Sequence, residues 1–436
     1  MLRMGLLLLS FFFVTTSQAA VWTEVNQWSP AWEDRFAEWV KREWQIDFFA
    51  RKTLPNGQSN PYYGLRTDCA DTVYSMRIVF AYENKLPFVM QDPTASGRTL
   101  SNKMNRFDKY SEDRRIKNFL LYMYDMVSTK SVPNDTYPVA ISRDIVRSGA
   151  MILTTTLNHH SWSIKEMLPI GVPHLVYNST IGATTGSTLQ QRQSWPNPEW
   201  VFEGNNTPAG NAGIRYWRPV EYINQPVWKV PGYSEEQYRV PLNKWNRYTQ
   251  NRLALKRETD EQMMTRLMHV TCEGLVGRVS AVNDGLNYLK TAPKGCMSYE
   301  VYDTYSTPSR DQRVFDDYVS LRRSYRDILS INGGNELSST MKAQLQKIFP
   351  FINESMASET RKMSATDLSE AAVCTTQYLP GQYIDLAEFK RRLFSGLISN
   401  NPLDDATYRW GQLRGPSQRA KMCKSWDVWV PNLNQN

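Results

Sequence analysis

Apolar residues recur at helical spacing near the start of the chain. The segment 21–56 carries large apolar side chains three or four positions apart, with charged residues between them. This pattern predicts an amphipathic helix whose apolar face packs on a core. The apolar positions are Trp32, Phe36, Trp39, Val40 and Trp44.

A second helix is predicted over residues 68–82, and a cysteine lies in its first turn. Thr67 or Asp68 can cap the N-terminus of this helix, and the residues that follow are mostly apolar. The first backbone N–H groups of a helix lack partners, and the helix dipole is positive there. A thiolate at Cys69 would be stabilised by both, so this position suits a reactive cysteine.

The pattern changes to strands between residues 151 and 180. Residues 152–157 are rich in β-branched side chains, residues 160–166 alternate between polar and apolar, and residues 174–178 resume the strand pattern after a Pro-Ile-Gly break. This arrangement predicts a β-hairpin with a connection of several residues.

Other segments before residue 240 are less regular. Helices are expected around 109–127 and 139–149. The long connection over 181–218 is rich in Gly, Thr and Asn. Long loops often carry function, and we expect the tryptophans of this connection to form part of a substrate-binding wall. They are Trp195, Trp200 and Trp217.

Helical patterns dominate from about residue 240 onwards, with no internal repeat. After a leader at 1–20, we therefore expect an α+β domain at 21–240 and a mainly helical C-terminal domain at 241–436. The predicted helices of the second domain cover 243–289, 309–331, 337–349, 354–371 and 384–398.

The first 20 residues have the pattern of an export signal. Arg3 is followed by an apolar run at 5–14 that is too short to span a bilayer, and Ser17-Gln18-Ala19 suits cleavage near Ala19 or Ala20. An uncleaved anchor is the alternative. No later stretch of the sequence is apolar enough for a transmembrane helix, so we expect no integral membrane segment after cleavage and a periplasmic or secreted location.

Charge and histidine content restrict the partners. The formal net charge is +8, which for an exported protein favours an anionic envelope surface over nucleic acid, or simply keeps the protein in solution. Of the four histidines, His159 and His160 are adjacent and would point to opposite faces of a strand. No set of metal ligands is recognisable, so neither a metal nor a cofactor is expected.

The cysteine count is odd. Five cysteines occur, at positions 69, 272, 296, 374 and 423. In an oxidising compartment an odd count leaves one thiol unpaired. Local pairing of 272 with 296 and of 374 with 423 is one of three possible connectivities. Any of the three leaves Cys69 free, either as a nucleophile or as a small buried apolar residue.

These residues supply the parts of a cysteine-based catalytic centre. Cys69 would be the nucleophile, His160 the base, and Asn178 the residue that orients the imidazole. Trp162 falls on the same side of the strand as His160 and could line the same cleft. Oxyanion donors would be the Cys69 N–H and a side chain just upstream. Candidates for that side chain are Tyr63, Asn60 and Gln58.

The order of these residues resembles the papain-like cysteine protease superfamily. Asp68-Cys69 at the start of an apolar helix resembles its bacterial cell-wall endopeptidase branch, and Asp68 would border the substrate site. His160-Ser-Trp162 followed by Asn178-Ser-Thr resembles the transglutaminase-like branch, which has Asp in place of this Asn. The resemblance covers residues 60–180. It implies a papain-like core, in which the cysteine helix packs on an antiparallel sheet.

The same resemblance implies an exported thiol-dependent amide hydrolase or acyltransferase that acts on peptide or peptidoglycan substrates. The alternative is a non-catalytic envelope protein that keeps a papain-like scaffold for binding. Asn178-Ser-Thr is also an acceptor sequence for N-glycosylation, and a glycan there would be incompatible with a catalytic Asn178.

Overall fold

The computed structural model describes residues 20–154, 159–179, 187–202, 212–366, 368, 371–412, 415–426 and 428–434. The predicted leader lies outside these residues except for its last position, Ala20. Within them, helices and antiparallel strands form an α+β protein, as the sequence predicted at this coarse level.

Antiparallel strands build one large sheet and two small hairpins in the described part of the chain. In chain order the strands are β1 (Val89–Gln91), β2 (Thr99–Ser101), β3 (Thr136–Pro138), β4 (Met151–Thr154), β5 (His160–Met167), β6 (Pro173–Tyr177), β7 (Gln190–Arg192), β8 (Gly213–Trp217), β9 (Thr376–Leu379) and β10 (Gln382–Ile384). The large sheet has the order β3-β8-β4-β5-β6-β7, while β1 pairs with β2 and β9 with β10.

Helices surround this sheet and make up most of the C-terminal half. In chain order they are α1 (Pro30–Glu43), α2 (Cys69–Glu83), α3 (Glu112–Met126), α4 (Val132–Asp135), α5 (Pro198–Val201), α6 (Leu242–Leu253), α7 (Asp260–Thr291), α8 (Tyr299–Tyr305), α9 (Pro308–Asn332), α10 (Ser339–Ile348), α11 (Met356–Lys362), α12 (Leu386–Phe394), α13 (Ala406–Arg409) and α14 (Gln418–Met422).

The predicted cysteine helix is confirmed as α2, the central helix of the N-terminal half. Residues 69–81 are all buried, so α2 is enclosed on every side, as a helix with apolar residues all round should be. Its buried Arg77 is paired with Glu33 of α1 through two hydrogen bonds of 2.6 and 2.9 Å. This ion pair compensates a charge that would otherwise destabilise the core.

The predicted hairpin is also confirmed. β5 pairs antiparallel with β6 over Ser163↔Val176 to Met167↔Pro173, and with β4 on its other side. β8, from the predicted long connection, joins the sheet between β3 and β4. The expected aromatic wall is wrong for two of its three members, because Trp195 and Trp217 are buried in the core against Trp245 and Tyr74. The Trp200 side chain lies outside the described residues.

One predicted helix is absent, and two others have different bounds. Residues 139–149 form turns rather than a helix: Val139 bridges to Tyr233, and Gly149, with φ of 90°, leads the chain into β4. The predicted helix over 243–289 is divided into α6 and α7, because Ala254 leaves the helix to bridge Ile170 and a capping box then starts α7. The predicted helix over 354–371 ends at Lys362.

Two large hydrophobic cores and one small cluster, which contains Met297 and Tyr302, are formed by the described residues. The first core contains buried residues from Val21 to Leu253, and the second contains residues from Met264 to Trp410. The sheet and α2 belong to the first core. The second core is formed mainly by α7, α9, α10 and α12.

The two disulfides differ from the local pairing that the sequence suggested. Cys272 is bonded to Cys374 and Cys296 to Cys423, so each bond links segments more than 100 residues apart. Cys69 is left unpaired, as predicted. Two disulfides fit an exported protein. Within the described residues, no helix is long and apolar enough to cross a membrane.

Polar contacts join the sheet to the helices of the second core. Arg192 of β7 forms a 2.7 Å ion pair with Asp317 of α9, and both side chains are largely buried. Arg266 of α7 donates to the carbonyl of Gln193 at 3.1 Å. These contacts place α7 and α9 beside the β6 and β7 edge of the sheet.

Candidate thiol site

Cys69 is the first residue of α2 and is only 8% exposed. Its Sγ lies 2.9 Å from Oγ1 of Thr129. The helix starts here because Asp68 is the N-cap: its Oδ1 accepts from the N–H of Asp71 at 3.0 Å, and Oδ2 of Asp71 accepts from the N–H of Asp68 at 2.9 Å. This reciprocal capping box confirms the predicted cap and fixes the thiol at the helix start.

The surroundings of Cys69 favour the neutral thiol. Burial raises its pKa to about 12, and the negative charge of Asp68 acts in the same direction. The hydrogen bond with Thr129 lowers the pKa but is outweighed. Burial also raises the pKa of Asp68 and of Asp71, and the two carboxyls repel each other. The favourable effect of the helix dipole expected from the sequence is therefore opposed by the capping carboxylates.

Two hydrogen bonds bring distant segments to the start of α2. Ser161 Oγ donates to the carbonyl oxygen of Cys69 at 2.8 Å, and Asn178 Nδ2 donates to the carbonyl oxygen of Thr67 at 2.8 Å. The beginning of β5 and the end of β6 therefore both lie against the first turn of α2. The segments that carry Cys69, His160 and Asn178 meet in one place, although they are far apart in the sequence.

His160 is the first residue of β5 and is 4% exposed. Its ring packs edge-on against Trp162, with centroids 4.4 Å apart, and against Tyr177 at 5.5 Å. The prediction that His160 and Trp162 share one side of the strand is thus confirmed. Burial lowers the pKa of His160 well below its usual range, and the positive charge of Arg313 lowers it further. The imidazole is therefore neutral at neutral pH.

Asn178 uses its side chain to hold the backbone. Besides the bond to Thr67, its Oδ1 accepts from the N–H of Ser179 at 3.0 Å. These bonds fix the end of β6 against the loop that precedes Cys69. Thr180 of the predicted Asn178-Ser-Thr motif lies outside the described residues.

The proposed upstream oxyanion donors lie in a loop with other contacts. Tyr63 is exposed, and its ring lies near the Lys52 ammonium. The amide of Asn60 donates to the carbonyls of Phe48 and Arg51. Gln58 is exposed and bonds to Asn56. These contacts order the loop between α1 and α2.

Arg313 of α9 is a charged neighbour of both Cys69 and His160. Its Nη2 donates to Ser179 Oγ at 3.4 Å. Its charge lowers the pKa of His160, while an ionised Cys69 would raise the pKa of Arg313. The C-terminal half thus supplies a cation to the neighbourhood of the thiol.

Several of these residues were not identified from the sequence. Thr129 and Arg313 carry no local signal, because they reach the site only through tertiary packing. Asp71 did have a local sequence signal, because an acidic residue three positions after Asp68 at a helix start is the pattern of a capping box. Among the described residues, no group of three or more His, Cys, Asp or Glu side chains could hold a metal ion.

Comparisons with known proteins do not place the chain in a family: no family model, no curated protein and no solved structure matches it.

Proposed function

We propose that the protein is an exported thiol-dependent amide hydrolase or acyltransferase with Cys69 as its nucleophile. The observation that supports this most is the convergence at the start of α2. An unpaired thiol at a helix N-terminus lies beside the beginning of β5, which carries His160, and beside Asn178, the residue that follows β6. A papain-like core would bring these segments together in the same way, with the cysteine helix packed on an antiparallel sheet.

The charges around the site define how the reaction would begin. Thiol and imidazole are both neutral at rest, since burial raises the pKa of Cys69 and lowers that of His160. Proton transfer from Sγ to His160 would accompany the attack of sulfur on an amide carbonyl. The imidazolium then returns this proton to the leaving amine. Water, or an acceptor amine in a transferase, finally cleaves the thioester and restores the thiol.

Asn178 has a positioning role in this proposal. Its bonds to Thr67 and Ser179 hold the loop before Cys69 against β6. The substrate class that fits export and a net charge of +8 is a peptide amide in an anionic envelope polymer, such as the stem peptide of peptidoglycan.

Trapping of an acyl-enzyme tests the proposal directly. The purified protein would be incubated with p-nitrophenyl acetate, and intact-mass and peptide mass spectrometry would locate any acetyl group. We expect acetylation of Cys69 in the wild type, none in Cys69→Ala, and a rate at least about a hundredfold lower in His160→Gln. The matched control is His174→Gln, a half-buried histidine of β6 bonded to Gln191, which should retain the wild-type rate.

The second candidate function is non-catalytic binding to an envelope polymer. It is favoured by the burial of Cys69 and by its pKa of about 12, which suit a structural thiol. Pull-down with isolated cell wall separates the two proposals. Binding that survives Cys69→Ala, together with no acetylation of Cys69 in the wild type, would support the scaffold function and refute the enzyme.

A further inference from the structure

A cavity of about 400 Å³ lies between the two halves of the protein. The β6 and β7 edge of the sheet forms one wall, and α7 and α9 form the other. The volume falls in the range of sites for small organic ligands. Val276 and His269 border the cavity and are exposed, so it is reached from solvent.

Most of the cavity wall is apolar. Aliphatic side chains from three parts of the chain contribute to it: the segment after α1, the segment before β7, and the facing helices. They include Ile46, Leu189, Val270, Ala281 and Val314. A ligand that fills this space needs an apolar body to gain from burial.

Cations are concentrated at one part of the same wall. Arg192, Arg310 and Arg313 all line the cavity. Asp317 is engaged by Arg192 at 2.7 Å. The other acidic group of the wall, Glu273, has its pKa raised to about 7 by burial, so it carries only part of a negative charge at neutral pH. The wall therefore carries the charge of Arg313 in addition to the Arg192–Asp317 pair.

Arg313 contributes a charge to this wall that, among the described residues, no ion pair balances. Its hydrogen bond is to the neutral hydroxyl of Ser179 at 3.4 Å. Arg310 lies one helical turn before it, on the same face of α9. Burial lowers the pKa of Arg310 to about 10 and also lowers that of Arg313. An anion beside Arg313 would offset the cost of holding its charge there.

We propose that this cavity is a binding site for a carboxylate ligand with an apolar body, whose carboxylate is held by Arg313. A single carboxylate matches the charge of Arg313, and the fork geometry of arginine suits its two oxygens. The site does not depend on the chemistry of Cys69, so it can be tested in Cys69→Ala as well as in the wild type.

Calorimetric titration with dodecanoate below its micellar concentration tests the proposal. Dodecanol has the same chain without the charge and serves as the control ligand. We expect saturable binding of dodecanoate and at least about tenfold weaker binding of dodecanol. Arg313→Gln should weaken dodecanoate binding to a similar extent. The matched control is Arg326→Gln, an exposed arginine on the same helix, which should leave binding unchanged.

A second variant fills the cavity without removing a charge. Gly277 of α7 lines the cavity, and a Cβ added there meets no atom within 4 Å. Gly277→Leu should keep or improve thermal stability, since leucine favours a helix more than glycine does, and it should abolish dodecanoate binding. The proposal is overturned if the wild type shows no saturable binding, if dodecanol binds as tightly as dodecanoate, or if folded Gly277→Leu binds like the wild type.

Discussion

The charge state of Cys69 is set by its immediate neighbours in α2. The helix start would stabilise a thiolate, but Asp68 and Asp71 occupy the first turn as a capping box. The negative charge of each carboxylate raises the pKa of the Cys69 thiol beyond the effect of burial. The same residues that fix the position of the thiol therefore keep it protonated at rest.

Replacing the capping carboxylate tests this balance. Asp68→Asn keeps a good N-cap residue but removes a negative charge, so the pKa of Cys69 should fall by on the order of one unit. Thiolate absorbance titrated against pH, with Cys69→Ala as the blank, measures the change. Asp385→Asn provides the control, because Asp385 caps α12 in the second core. An unchanged Cys69 pKa in Asp68→Asn would contradict the electrostatic account.

Helices and strands with regular apolar spacing could be predicted from the sequence, whereas those fixed by long-range contacts could not. α1, α2 and the β5–β6 hairpin have regular apolar spacing over several turns or positions, and all were predicted. Residues 139–149 also contain apolar residues at intervals compatible with a helix. They form turns instead, because Val139 extends the sheet contact to Tyr233 and Gly149 takes a positive φ.

Asp135 joins three of these elements. Located at the end of α4, it accepts from the Tyr74 hydroxyl of α2 at 2.5 Å and from the Gln91 N–H of β1 at 2.7 Å. Burial raises its pKa to about 7, whereas an unfolded aspartate titrates near about 4. Between these values the folded protein holds a proton that the unfolded chain has lost. This group therefore makes the free energy of unfolding fall as pH rises from about 4 to about 7.

Asp135→Asn should remove this pH dependence. In urea denaturation at pH 4.5 and at pH 7.5, the wild type should lose about 3 kcal/mol relative to the variant as the pH rises. An exposed carboxylate, Asp327, offers a control variant, Asp327→Asn, that should follow the wild type. Parallel pH profiles of wild type and Asp135→Asn would show that the buried carboxyl is not the source.

Each half of the protein has its own core. The contacts that link distant segments could not be predicted from the sequence. The division near residue 240 was expected, and the first core extends to Leu253. The disulfide connectivity, the Arg192–Asp317 pair and the arginine-lined cavity all depend on how distant segments pack. No local pattern encodes such contacts. The candidate site was accessible from sequence at Cys69, His160 and Asn178, but its charged neighbour Arg313 was not.

The second disulfide should contribute strongly to the stability of the C-terminal half. Cys296 and Cys423 are separated by 127 residues, and a crosslink over such a length is worth about 4–5 kcal/mol in the chain-entropy model. We expect the double variant Cys296→Ala/Cys423→Ala to lower the free energy of unfolding by roughly that amount in chemical denaturation. Cys69→Ala keeps both disulfides and is the control. An unfolding curve of the wild type that does not change on reduction would contradict this expectation.

The most direct test of the central claim is the rate at which iodoacetamide labels Cys69 in the native protein at neutral pH. If His160 takes the proton of the thiol as the sulfur attacks, mass spectrometry should detect labelling of Cys69 in the native wild type, although slowly because the thiol is neutral at rest. Labelling should be slower again in His160→Ala, with His174→Gln equal to the wild type. A Cys69 that reacts only after denaturation, or at the same rate with and without His160, would contradict a catalytic thiol.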